Sequence, residues 1–99
     1  MRKVELSGRA RQFLLRETAY LRQHSRRAAA NFVQSIKGAQ ARLAKFPEIG
    51  FERQSPPVPG IRRLVVGAYI LDYFPGETIT IANIRHGRQL DPESPVPDE

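Results

Sequence analysis

The chain has 99 residues with 16 Lys and Arg, 10 Asp and Glu and no Cys, which fits one small domain with a modest core. Its composition excludes disulfides and thiolate chemistry. No stretch reaches the roughly 18 apolar residues of a membrane span, and the N-terminus lacks the apolar core of a signal peptide, so a cytoplasmic location is the expectation. The net charge is +6, but four of the ten acids (Asp91, Glu93, Asp98 and Glu99) lie after residue 90 with no Lys or Arg beside them, so residues 1–90 carry +10. Such a body favours anionic partners, nucleic acid or an acidic protein segment, without choosing between them.

Residues 2–7, RKVELS, alternate enough for a short first strand. Ser7 is placed to cap the helix that follows, because its hydroxyl can accept a bond from a free N–H of the first turn. Ala10, Phe13, Leu14, Tyr20 and Leu21 recur at mostly three- and four-residue spacing and predict a helix over 8–24. Glu17 falls on that apolar stripe and interrupts it. Ser25 is a second candidate cap. Ala29, Phe32, Val33, Ile36, Ala39, Leu43 and Phe46 predict a second helix over 27–46. Pro47 stops it, since proline offers no N–H and restricts the residue before it. Two such helices with a short link form an αα-hairpin.

Residues 54–60, QSPPVPG, read as a rigid loop. The rhythm then changes to strands rich in Val, Ile, Tyr and Thr, at 61–66, 69–74 and 78–84. Gly67-Ala68 and Pro75-Gly76-Glu77 separate them at hairpin length, giving a three-stranded antiparallel meander. The apolar set moves from Ile79 and Ile81 to Ile84, which breaks period two and points either to a bulge near Ala82-Asn83 or to a sheet with both faces partly covered. Residues 91–99, DPESPVPDE, cannot build a core and form a tail outside the domain of residues 1–90.

Chemistry-bearing residues are few. With two histidines and no converging acid set, no metal site is expected, and no cofactor. There is no G-x-S-x-G elbow and no glycine-rich phosphate loop. His24 ends the first helix, where a partly positive imidazole complements the helix dipole. His86 closes the last strand in IRHGRQ, residues 84–89, between Arg85 and Arg88. It could serve as a general acid with arginines stabilising a cleaved phosphate. The plainer alternative is a strand-end imidazole hydrogen-bonded locally. Arg62 and Arg63 point to opposite faces of their strand, so one of them can join Arg85 and Arg88.

Taken in order, LAKFPEIG (43–50), PGIRRLVVGAYILDY (59–73) and ITIANIRHGRQ (79–89) resemble the RelE/ParE superfamily of toxins from bacterial type II toxin–antitoxin modules. The resemblance spans residues 4–89. It implies an α+β fold, in which an N-terminal strand and a helical hairpin pack on a curved antiparallel sheet in the order β-α-α-β-β-β. RelE-like members cut messenger RNA on the ribosome with basic groups on the sheet. One is an arginine directly after the first tyrosine of the hairpin strand, where this chain has Ile70. Leu64 occupies another basic position, and no tyrosine follows Arg88. The scaffold is kept while the nuclease set is depleted, so the chain is closer to ParE-like members, which act on DNA gyrase. The resemblance implies a cognate antitoxin as partner and gyrase as target. Arg62, Arg85, His86 and Arg88 are then expected to form a basic recognition edge, and to be the catalytic set only if the chain is a ribonuclease. A plain nucleic-acid-binding module is the third alternative.

Overall fold

The computed structural model describes residues 1–52 and 60–87. The loop at 53–59, Arg88 and the acidic tail lie outside the described residues. The chain runs β1 (Lys3–Leu6), α1 (Gly8–His24), α2 (Arg26–Lys45), β2 (Phe51–Glu52), β3 (Arg62–Val66), β4 (Tyr69–Pro75) and β5 (Thr78–His86).

Both expected caps form. The Ser7 hydroxyl accepts from the Ala10 N–H at 3.1 Å, and the Ser25 hydroxyl from the Ala28 N–H at 3.1 Å. Ser25 is extended, at φ −165° and ψ 120°, so it ends α1 and starts α2 in a single residue. Phe46 closes α2 and Pro47 follows it, as the sequence requires.

The sheet order is β1-β5-β4-β3-β2. β3, β4 and β5 are the expected meander, with Gly67 at φ +60° opening the two-residue turn between β3 and β4. A positive φ at the first turn position suits glycine and fits a type II′ hairpin. Two features extend the expected sheet. β1 pairs in parallel with β5, so the sheet is mixed rather than wholly antiparallel; the helical hairpin supplies the crossover that parallel pairing needs. β2, only two residues long, adds a fifth strand against β3.

The bulge is present. Asp72 pairs with Asn83 and Tyr73 with Ile81, so Ala82 is the extra residue of β5. The helices cover one sheet face. Phe32, Ile36, Ala39 and Leu43 of α2 pack there with Leu71, Tyr73, Ile79, Ile81 and Ile84. Each fully buried large apolar side chain contributes about 1.5–3 kcal/mol, so this layer is the main source of stability.

Candidate functional site

Three side-chain clusters surround the positions singled out in the sequence, and they lie in different places. The first holds the turn after α2. Arg62 donates from Nε to the Gly50 carbonyl at 3.0 Å and from Nη2 to the Glu48 carbonyl at 3.1 Å. The Gly50 N–H donates to the Tyr73 hydroxyl at 2.9 Å in the interior. Arg62 is thereby held by backbone carbonyls, with Glu52 Oε2 3.8 Å from its Nη1. The turn it fixes carries Phe46, Ile49 and Phe51, which are 59%, 40% and 52% exposed. Three large apolar groups on a held turn form a small patch suited to protein contact.

The second cluster lies on the sheet face turned away from the helices. Arg63 Nε is 3.0 Å from Asp72 Oδ1, and Arg85 Nη2 is 3.9 Å from Asp72 Oδ2. Asp72 and Arg85 are 8% and 7% exposed. Two guanidiniums thus share one carboxylate. Ile70 sits beside them, cross-strand from Arg85.

The third cluster joins α1 to the sheet on the helical side. The Tyr69 hydroxyl donates to Glu17 Oε2 at 2.6 Å, and His86 Nε2 lies 3.0 Å from the same oxygen. The rings of Tyr69 and His86 are 4.9 Å apart, with Phe13 edge-on to both. Burial raises the Tyr69 phenol far above its ordinary range, and the hydrogen bond and charge of Glu17 push it the same way. Glu17 interrupts the apolar stripe because its carboxylate is the shared acceptor of two sheet residues.

Of the four residues expected at one edge, the three described ones lie in different clusters. Arg62 braces the turn after α2. Arg85 turns to the face away from the helices and is buried beside Asp72. His86 packs on the helical face, and Arg88 is outside the described residues. Of the pair Arg62-Arg63, the one that shares a carboxylate with Arg85 is Arg63. The sequence left open which of the two arginines joins Arg85, and Asp72 was passed over, although a charged residue within YILDYF was the available signal.

Most of the exposed basic charge among the described residues lies on the helices. Arg9, Arg11, Arg16 and Arg22 of α1 and Arg26, Arg27, Lys37, Arg42 and Lys45 of α2 are all exposed. The one acid within the two helices is Glu17, which is buried. The hairpin thus presents a cationic surface with no exposed carboxylate of its own. Among the described residues, no three His, Cys, Asp or Glu side chains are grouped to hold a metal ion, and no helix is long and apolar enough to cross a membrane.

Comparison with known proteins follows the same lines. The family described as "ParE toxin of type II toxin-antitoxin system, parDE" matches residues 4–91. Among solved structures, one titled "Chromosomal ParDE TA system from P. aeruginosa" superposes with a TM-score of 0.68 at 23% identity, covering 87% of this chain and 96% of that one. At that identity the likeness shows the fold. No curated protein gives a significant match.

Proposed function

The chain belongs to the ParE family of toxins of type II toxin–antitoxin systems, and on that premise we propose that it arrests growth in the cytoplasm by a non-enzymatic contact with DNA gyrase and is neutralised by a cognate antitoxin. The observation that carries the non-enzymatic reading is the division of the candidate nuclease groups between two sheet faces. His86 is engaged by Glu17 under α1, whereas Arg63 and Arg85 surround Asp72 on the other face. A general acid and the cations that stabilise a cleaved phosphate must converge on one reacting group. Ile70, next to the arginines, can neither donate a hydrogen bond nor neutralise a phosphate.

The antitoxin reading draws on the helical surface. Nine exposed basic side chains without an exposed acid attract an acidic segment and speed its encounter. Arg62 and Arg85 contribute to partner binding by holding the surfaces around them, and His86 by fixing α1 against the sheet. Arg88, the fourth residue of the expected set, would add its charge to partner binding.

Purified protein incubated with gyrase and plasmid DNA is expected to block supercoiling or accumulate cleaved DNA, and to leave messenger RNA on programmed ribosomes intact. Efficient messenger cleavage that His86→Ala abolishes at unchanged stability would overturn the proposal and make the chain a ribonuclease.

A further inference from the structure

The fold treats the basic groups of its sheet and of its helical hairpin differently. On the sheet, Lys3 lies 3.2 Å from Glu5 and Arg62 3.8 Å from Glu52, and Arg63 and Arg85 share Asp72. Among the described residues, none of the nine exposed basic side chains of α1 and α2 takes part in an ion pair or a side-chain hydrogen bond. Folding even disfavours their placement. Arg26 and Arg27 stand in the first turn of α2, which holds no acid, at the positive end of the helix dipole, and like charges on one hairpin repel. Cations that weaken the fold and make no internal contact are available to an external anion.

Helical periodicity gathers four of them. Eleven residues make about three turns and about 16.5 Å of α-helix, so Arg11 and Arg22 share a stripe of α1, and Arg26 and Lys37 a stripe of α2. Arg22 and Arg26 line a groove of ≈ 460 Å³ together with Thr18, Ala29, Ala30 and Val33. The stripes thus run as two cationic rows on either side of the groove.

We infer that this groove seats the phosphate backbone of duplex DNA, held by Arg11, Arg22, Arg26 and Lys37 without reading the sequence. Seven of the nine exposed basic side chains are arginines, whose guanidinium forks match phosphate oxygens. α1 has 17 residues, so the rows face about 25 Å of duplex, which carries on the order of fifteen phosphates. A regular polyanion of that density can meet both rows at once. Ala29, Ala30 and Val33 in the groove offer no ring on which unpaired bases could stack, which favours a duplex over a single strand. Gyrase works on DNA, so the choice of DNA over RNA rests on the mechanism proposed above. An acidic antitoxin segment would compete for the same cations, so the toxin meets DNA only when free.

Fluorescence anisotropy tests the inference on the full chain, with a labelled duplex of about 20 base pairs and salt varied from about 50 to 300 mM. Four phosphate contacts predict a slope of about −3.6 for log K against log salt, at about −0.9 per contact. Arg22→Gln/Arg26→Gln should halve that slope and weaken binding about 60-fold at about 0.1 M salt. Arg9→Gln/Arg16→Gln removes the same charge from another side of α1 and should leave the slope nearly unchanged. All four side chains are exposed and make no internal contact, so far-UV circular dichroism should be the same in both variants.

No binding at low salt, a slope near zero, or equal losses in the two variants would overturn the inference. So would tighter binding to polyglutamate of matched charge, which would assign the groove to an acidic protein, or to an RNA duplex of the same sequence. Gyrase is absent from this assay. A chain that blocks gyrase yet ignores the naked duplex would sink the inference and leave the mechanism proposed above intact.

Discussion

Replacing Glu17 by Gln and Tyr69 by Phe, singly and together, measures how firmly α1 is joined to the sheet. The Tyr69 hydroxyl and His86 Nε2 meet one carboxylate oxygen at 2.6 and 3.0 Å, and Glu17 is 8% exposed. A hydrogen bond to a charged group contributes about 1.5–3 kcal/mol net. Tyr69→Phe removes one such bond and leaves a buried carboxylate with one donor fewer, so a loss of about 2 kcal/mol is expected. For a domain of this size that corresponds to a fall in Tm of about 8–16 °C. Glu17→Gln keeps an oxygen for the phenol but drops the charge facing His86. In the double variant the second change should cost less than it does alone, with a coupling of about 1–2 kcal/mol. Urea unfolding followed by far-UV circular dichroism at pH 7 supplies all four stabilities. Additivity within about 0.3 kcal/mol would refute the reasoning, because residues that share a bond cannot be independent.

The same bond has an alkaline signature. The Tyr69 phenol is held protonated in the folded chain, by burial first and by Glu17 second. Its folded pKa lies above the unfolded value of about 10. Its contribution is therefore complete below about pH 10 and is lost as pH rises beyond that value. Wild-type stability should fall more steeply than that of Tyr69→Phe above about pH 10, and parallel curves would refute the assignment.

Gly50→Ala should destabilise by about 1–3 kcal/mol or more, because its Cβ would lie 2.5 Å from the Arg63 carbonyl oxygen and 2.8 Å from the Tyr73 ring. Gly38→Ala, with nothing within 4 Å, should stabilise by about 0.5–1 kcal/mol through helix propensity; urea unfolding of both checks the pair. Asp72→Asn removes the carboxylate between two largely buried guanidiniums and should cost about 3 kcal/mol, a loss that added salt restores only in small part. His86→Ala should lower stability yet leave growth arrest per folded molecule unchanged, and Ile70→Arg should confer no messenger cleavage; growth curves normalised to soluble protein and a ribosome cleavage assay read the two outcomes.

Local signals in the sequence account for most of the fold. Ser7, Ser25 and Pro47 act within one helical turn, so they mark the ends of α1 and α2 without reference to anything distant. The break in period two likewise exposed the bulge at Ala82. β2 left no such trace, because two residues are too few to show alternation. The parallel pairing of β1 with β5 joins residues more than seventy positions apart, and periodicity carries no record of which strands meet. The site was less legible for the same reason. Alternation says that Arg62 and Arg63 face opposite ways; only the positions of Gly50 and Asp72 decide which arginine serves which cluster. Glu17 was visible as an exception to its stripe, but its partner Tyr69 lies 52 positions away.

One inserted residue in β5 decides which chemistry each sheet face can support. Before the bulge, Ile79 and Ile81 face the helices; were the strand regular, Asn83 and Arg85 would follow them and Ile84 and His86 would point away. With Ala82 inserted, Ile84 completes the core opposite Leu71, and His86 comes beside Tyr69 and Glu17. Arg85 is turned to the other face, opposite Ile70 and within reach of Asp72. The same residue that keeps the apolar layer continuous thus decides which face receives each group, while strand alternation keeps Arg85 and His86 on opposite faces. A regular strand would instead place Arg85 beneath α1, where desolvation would cost several kcal/mol unless it were paired. The continuity of the core thus follows from one backbone feature, and the described chemistry-bearing groups of the motif, Arg85 and His86, lie on two faces of the sheet by alternation.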